Sequence, residues 1–554
     1  MQRKNDTKQF LIRKTDLFVK FFIGGTSVSI LVLSWLNLRK YPNLVFYDPS
    51  YAYLYNGVVI TQGGIPGHTD HPGTSLQWIS GFASQIFHVF RNNGTSLAQD
   101  VVANSEIYIQ VSGLLLAAIF CLSIGVFGFQ ILKQLGAIES IIAVIVFWAG
   151  FELWYPQIHI LSPESLVIST SILVAALLLP KLFQPHDQTN RSTLIVIGIL
   201  LSIGITSKVI AVPIVLMIPF LFKPRQVAMV AIALISTTMV ILIPVYSRAG
   251  LMLGYFFGIA TKPSRWGQET AEQLSVWRNI QNSLTNFSEA TPQLAGYLVG
   301  ALVLTLGWLG LRKKNQMISP EPKSWKPFVG LQLSIIATIA MGFKQSVERD
   351  FVLLVVLIPV FILLMFQKYR PLIMHDLKGK SFRLTKTALI IVFIGSSIIT
   401  LRTVRETSLN LGALEGSYKE VISKVAKLED SNWLVSTYLI PSLGNASLFG
   451  AYWANNAFSE ELAISFPRYM ELNILDKSIR GWNREASLAI LDCLEINERI
   501  RSSEMFILIP DYIDDYWPDR SGSLRLSGQS LKIESEILIG NGITLIAVTN
   551  CQSD

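Results

Sequence analysis

The chain has 554 residues, 51% of them hydrophobic, with 46 Lys and Arg against 38 Asp and Glu for a net charge of +8. Its mean hydropathy of +0.45 is more apolar than a water-soluble fold can bury, so composition excludes a soluble enzyme and defines a polytopic membrane protein. No P-loop and no G-x-G-x-x-G phosphate cradle occurs, so ATP-driven work and nucleic-acid chemistry have no support.

Apolar runs close to the ~20 residues that cross a bilayer recur along the first two thirds of the chain. They predict helices near 17–38, 107–132, 137–152, 163–181, 193–209, 209–222, 226–247, 294–311, 327–343, 350–367 and 387–402, about eleven in all. The stretch 192–222 reads as either one long helix or two short ones. The N-terminus resembles a signal peptide in outline, but Leu36–Pro42 offers no small-residue cleavage site, so an uncleaved signal anchor is expected. With the N-terminus inside, the cytoplasmic segments carry 21 Lys and Arg, while the opposite loops, about twice as long in total, carry 10. This positive-inside bias puts the loop 39–106, the turn near residue 208, and everything after about residue 403 on the extracytoplasmic side.

The first outer loop holds most of the polar chemistry. Asp48 precedes Pro49, which presents it at the start of a helix over Ser50–Val59. A helix cap and a catalytic carboxylate are both open readings for it. Next comes Gly67-His68-Thr69-Asp70-His71-Pro72-Gly73. Two imidazoles and a carboxylate suit a divalent cation or a phosphate. A plain turn needs only Asn, Ser or Gly. The helix that follows, Thr74–Phe90, is amphipathic, with Leu76, Ile79, Phe82, Ile86, Phe87 and Phe90 placed to lie on a membrane surface.

Further outer-face charges stand at helix ends. Glu152 follows Phe151, and Glu164 sits in Ser162-Pro163-Glu164, also a good helix start. Lys208 interrupts an apolar stretch, where a lysine ordinarily has a partner or a task. Lys262 and Arg265 flank Pro263-Ser264 and precede Trp266, a pairing suited to a phosphate or a sugar ring. Lys344 and Arg349 lie in Phe343-Lys344-Gln345-Ser346-Val347-Glu348-Arg349-Asp350, ahead of an apolar run.

After residue 403 the composition changes, with 13 Lys and Arg against 21 Asp and Glu. Amphipathic helices are expected at Leu414–Leu428 and Glu485–Ile500, and strands at Trp433–Ile440, Met505–Ile509 and Ile543–Val548. The expected division is therefore a membrane domain, 1–402, and an extracytoplasmic α/β domain, 403–554, whose acidity argues against docking on anionic lipid. Cys493 and Cys551 fall in this second part, where a disulfide is open, while Cys121 lies in a membrane helix.

One helix, a large outer loop with an early Asp48, two surface helices, and then Asp70-His71-Pro72 form an order that resembles the GT-C superfamily of polyprenyl-phosphate-sugar-dependent glycosyltransferases. The pattern looks most like that of protein O-mannosyltransferases and the bacterial aminoarabinose transferase. It departs in two places: Pro49 stands where a second acid is usual, and Pro72-Gly73 where Pro-Pro is usual. The resemblance implies an α-helical polytopic membrane protein in the inner or plasma membrane, acting on its extracytoplasmic face. It implies a lipid-linked sugar donor, an acceptor lipid, glycan or protein, and surrounding membrane lipids as partners. It implies catalytic roles for Asp48, Asp70 and His71. Substrate contacts are implied for His68, Glu152, Glu164, Lys208, Lys262, Arg265, Lys344 and Arg349. Asp48, His68, Asp70 and His71 are the candidates for holding a divalent metal ion. The rival readings are a polysaccharide polymerase or O-antigen-ligase-like enzyme, which usually places its large loop late, and a transporter, which would show paired halves.

Overall fold

The computed structural model describes residues 2–40, 47–69, 73–158, 160–183, 189–261, part of 281–300, 326–345, 348–376, single positions between 402 and 423, and most of 433–553 outside 437–442, 474–477, 483–487 and 511–522. It is a mainly helical chain ending in a sheet domain. In chain order the helices of the first half are α1 (Gln2–Lys40), α2 (Tyr47–Thr61), α3 (Thr74–Arg91), α4 (Leu97–Ala103), α5 (Ser105–Gln134), α6 (Ala137–Trp148), α7 (Phe151–Ile158), α8 (Pro163–Phe183) and α9 (Arg191–Ser207). A 3-10 segment (Val209–Met217) leads into α10 (Ile218–Leu221) and then α11 (Pro224–Ile241). After α12 (Ala249–Thr261) come α13 (Lys326–Gln345), a 3-10 turn (Glu348–Phe351) and α14 (Leu354–Asp376).

Among the described residues, five stretches are long and apolar enough to cross a bilayer: 17–36, 105–134, 163–183, 224–241 and 349–367. Four shorter apolar helices accompany them. The expected helices over 301–311 and 387–402 lie outside the described residues, apart from Arg402. The stretch 192–222 is two elements, parted at Lys208, whose backbone is extended (φ −159°, ψ 138°).

Contacts divide the chain into two compact units. One comprises 1–36, 69–75 and 114–406; the other comprises 37–68, 76–113 and 407–554. The first is built on a continuous apolar core in which α8 and α14 are almost wholly buried, with Trp154, Phe120, Phe351 and Phe361 as its largest enclosed side chains.

In the second unit the C-terminal residues form β1 (Trp433–Ser436), α15 (Leu443–Trp453), α16 (Ser459–Ser465), β2 (Tyr469–Asn473), β3 (Ser478–Trp482) and β4 (Leu488–Ile490). There follow α17 (Cys493–Ser502), β5 (Met505–Pro510), β6 (Ser523–Leu526), β7 (Gln529–Gly540) and β8 (Ile543–Ser553). The eight strands make one mixed sheet in the order β4-β3-β2-β1-β5-β8-β7-β6. β1 runs parallel to both β2 and β5, and the remaining pairs are antiparallel. The expected helix over Glu485–Ile500 is shorter: Leu488–Ile490 instead pairs with β3, with Arg480 opposite Ile490. The helix starts only at Cys493, because Asp492 caps it by accepting from the Glu495 amide at 2.9 Å. The expected helix over 414–428 falls almost entirely outside the described residues.

α3 turns its polar side inward. Gln77, Ser80 and Ser84 are buried, as is Leu76, while Phe82, Ile86, Val89 and Phe90 are exposed. The membrane-surface reading of this helix keeps Phe82, Ile86 and Phe90, gains Val89 and loses Leu76. The C-terminal end of α3 is tied down by a buried carboxylate. Asp100 accepts from the Tyr108 hydroxyl and from Asn104 Nδ2 at 2.9 Å, with His88 Nδ1 at 3.0 Å and Arg91 Nη2 at 3.3 Å. Burial alone would raise its pKa, but these partners outweigh burial and hold it below the ordinary 3.8. A depressed carboxylate stabilises the fold above its unfolded pKa and loses that contribution as pH falls through the folded value. Asp100→Asn should therefore lower stability by about 2 kcal/mol at neutral pH. The gap from wild type, read as thermal midpoint in detergent, should hold down to about pH 4 and shrink below it.

Cys493 and Cys551 are disulfide-bonded, joining the start of α17 to the end of β8 across 58 residues. Unfolded without reductant, the protein should expose one maleimide-reactive thiol, Cys121, and three after reduction. Three thiols before reduction would place the C-terminal domain in a reducing compartment.

Candidate active site

In the first unit, four charged side chains from three separate elements converge. Glu164 is the second residue of α8, and the Ser162 hydroxyl donates to its carboxylate. Lys208 stands at the break after α9. Arg349 and Asp350 belong to the 3-10 turn ahead of α14. Lys208 Nζ donates to Glu164 Oε1 at 2.7 Å and to Asp350 Oδ1 at 2.8 Å, and Arg349 Nε lies 3.5 Å from Glu164 Oε1. Both carboxylates are 1% exposed. Two cations meet two anions, so the group is neutral as a whole. This is how buried charge is tolerated in an apolar interior.

The same break fastens the end of the first outer loop. Gly73 N donates to the Ser207 carbonyl at 3.0 Å, one of the last carbonyls of α9. Ser75 Oγ and Thr206 Oγ1 are 2.5 Å apart. Thr206 already donates to the Ser202 carbonyl at 2.7 Å, so Ser75 is the donor of that pair. The motif residues Asp70, His71 and Pro72 lie outside the described residues.

In the second unit the other side of the motif is anchored too. Asn56, buried in α2, accepts at Oδ1 from the amides of Gly67 (2.7 Å) and His68 (3.1 Å), and donates through Nδ2 to the carbonyls of Ala52 (2.7 Å) and Trp453 (3.0 Å). Gln77 Nε2 donates to the His68 carbonyl at 2.9 Å. The His68 ring packs edge-on against Tyr53 and Trp453, with centroids 5.2 and 4.9 Å away. A Cβ on Gly67 would stand 2.3 Å from the Trp453 carbonyl oxygen, and one on Gly450 would stand 2.9 Å from Tyr51 Cβ, so glycine is required at both approaches. Within the second unit, residues of the first outer loop and of the C-terminal domain are thus packed together.

Asp48 is the second residue of α2. Glu152 falls in α7, and Lys344 is at the C-terminal end of α13. Lys262 and Arg265 lie outside the described residues. Lys208, expected to face a lipid phosphate, is bonded to two carboxylates. His68, expected to hold substrate or metal, is packed between aromatic rings. Among the described residues no three His, Cys, Asp or Glu side chains converge to hold a metal ion.

Three residues escaped the sequence reading. Asp350 could have been found, because a lysine inside an apolar run needs a counter-charge and the outer helix ends offer few. Asn56 and Trp453 left no local signal.

The architecture is that of an integral membrane protein with a GT-C-like fold. Among solved structures, the chain is similar to ArnT from Cupriavidus metallidurans bound to undecaprenyl phosphate, with a TM-score of 0.50 and 12% identity over 94% of this chain and 97% of that one. The apo oligosaccharyltransferase of Archaeoglobus fulgidus aligns at a TM-score of 0.45 and 12% identity, over 88% of this chain and 70% of that one. At such identities the likeness is one of fold. No protein-family model and no curated protein sequence matches the chain.

Gly67→Ala should force the loop away from Trp453 and destabilise the second unit by roughly 1–3 kcal/mol. Hydrogen exchange in 51–61 and 443–453 should rise together. A rise confined to one segment would mean that the two are not coupled through this contact.

Proposed function

We propose that the protein is a membrane glycosyltransferase that moves a sugar from a polyprenyl-phosphate-linked donor to an acceptor hydroxyl on the extracytoplasmic face. The observation that carries this reading is the GT-C fold shared with ArnT over nearly the full length of both chains, together with Asp48 in the first turn of the helix that opens the first outer loop. That ArnT structure holds undecaprenyl phosphate.

In this reading Asp48 removes the proton of the acceptor hydroxyl as it attacks the anomeric carbon. The bond from that carbon to the phosphate oxygen breaks, and the polyprenyl phosphate leaves with the electron pair. Cations must meet the charge that develops there. Lys262, Arg265, Lys344 and Arg349 are assigned to it, since Lys208 is engaged by carboxylates. Asp70 and His71 orient the substrate. A divalent cation, where the reaction uses one, falls to Asp48, Asp70 and His71 rather than to the ring of His68. The alternative, a polymerase or ligase of glycan chains, differs in acceptor, and product length separates the two.

Asp48→Asn should lower sugar transfer from undecaprenyl-phosphate-linked donors by ~10²-fold or more. Binding of undecaprenyl phosphate and the thermal midpoint should stay close to wild type, because Asn is nearly isosteric. Near-normal turnover in this variant would remove Asp48 from the chemistry and move the base to Asp70 or Glu152.

A further inference from the structure

The arrangement around Lys208 has the form of a cation site that is already filled. Two carboxylate oxygens from different elements, Glu164 Oε1 and Asp350 Oδ1, point at one position, and the lysine nitrogen occupies it at 2.7 and 2.8 Å. The second oxygen of Asp350 is buried with no hydrogen-bond partner among the described residues. The pair therefore has acceptor capacity beyond what one ammonium uses. Lys208 reaches this position from a backbone forced out of helix, and the residues just before it, Thr206 and Ser207, hold Ser75 and Gly73.

We propose that Glu164 and Asp350 form a two-carboxylate cation site whose resident cation is the tethered ammonium of Lys208, and that this cation locks the break on which the end of the first outer loop hangs. Lys208 is then a positioning residue and not a contact to the donor. Its ammonium does what a bound divalent ion does elsewhere: it neutralises two buried carboxylates and ties three elements together at one point. Removing it leaves Glu164 to Arg349 and Asp350 without its cation, an uncompensated buried charge that an added cation can satisfy.

Chemical rescue tests this without any transfer assay, so the outcome does not depend on the proposed reaction. Lys208→Ala deletes the equivalent of a propylammonium ion. The variant, purified in detergent, should lose about 5 °C or more in thermal midpoint. Propylammonium or Ca²⁺ at millimolar concentration should restore at least roughly half of that loss, saturably. Sodium or tetramethylammonium at equal ionic strength should not, since neither offers N–H donors or a double charge. Asp350→Asn added to Lys208→Ala should abolish the rescue. Where Lys208→Ala fails to accumulate, the pair Lys208→Met and Lys208→Met/Asp350→Asn decides. The double variant keeps Glu164 beside Arg349, one cation with one anion, and should be the more stable of the two. A midpoint unchanged in Lys208→Ala together with lost binding of undecaprenyl phosphate would make Lys208 a donor contact and overturn the proposal. A fallen midpoint that no cation restores, with the double variant no more stable than the single, overturns it equally.

Discussion

A charge in an apolar interior persists only beside its counter-charge, and around Lys208 that requirement fixes three elements at once. Taking an ammonium and a carboxylate out of water costs several kcal/mol each, recovered only with short, well-aimed hydrogen bonds. Here Lys208 makes two such bonds, at 2.7 and 2.8 Å, to Glu164 and Asp350. The start of α8, the break after α9 and the turn before α14 are held at one point as a result. The break has a second consequence. A helix end leaves carbonyls without intrahelical partners, and one of these, on Ser207, is taken by the amide of Gly73. The end of the first outer loop is thus a cap for α9, and its placement is inherited from the ion cluster.

The second unit answers a different demand, that a polar loop between membrane helices needs something to pack on. α2 carries Tyr51, Tyr53 and Tyr55, all buried. It buries them within a unit that includes the C-terminal residues: Tyr55 lies 4.9 Å from the Phe458 ring, and its hydroxyl meets Ser105 at 3.0 Å. Desolvation pushes the Tyr55 phenol up to about 12, so it stays a neutral hydrogen-bonding group at any working pH. α3 packs its serines inward and leaves Phe82, Ile86, Val89 and Phe90 outside. In water that would be an aggregation liability, whereas at a bilayer surface it is an anchor.

What could be read in advance follows from how each feature is written. Membrane helices are written in long local runs, and α5 and α8 lie within a few residues of where hydropathy puts them, while α11 ends short of its expected run and α14 continues past its own. The division at Lys208 was an open choice because an apolar run is largely compatible with helix, and both Pro213 and the counter-charges of Lys208 favour the break. The expected helix over 488–490, where a strand stands instead, shows the limit of periodicity. Leu488 and Ile490 fit a helical stripe and a strand alternation alike, and the neighbour β3 decides. The link between Asn56 and Trp453 spans 397 positions. Neither residue has a pattern around it that names the other, so the packing of the C-terminal domain on the first loop was visible only as an expected common side of the membrane. For the site, residue types were legible and pairings were not: Glu164, Lys208 and Arg349 were each singled out, but as separate substrate contacts and not as one neutral cluster.

That neutrality constrains the chemistry. In the proposed reaction the departing lipid phosphate needs net positive charge aimed at its oxygens. Lys208 cannot supply it without giving up Glu164 or Asp350, and either loss leaves a buried carboxylate unpaired. Arg349 is placed differently. It meets Glu164 through Nε at 3.5 Å, beyond the length of a good hydrogen bond, and its side chain is 37% exposed against 10% for Lys208. A guanidinium has donors on more than one edge, so an arginine can share a carboxylate and still meet a planar oxyanion, which a lysine held by two carboxylates cannot. In the proposed reaction the division of labour is electrostatic: the buried lysine neutralises Glu164 and Asp350, and the phosphate is assigned to the more exposed Arg349 beside it.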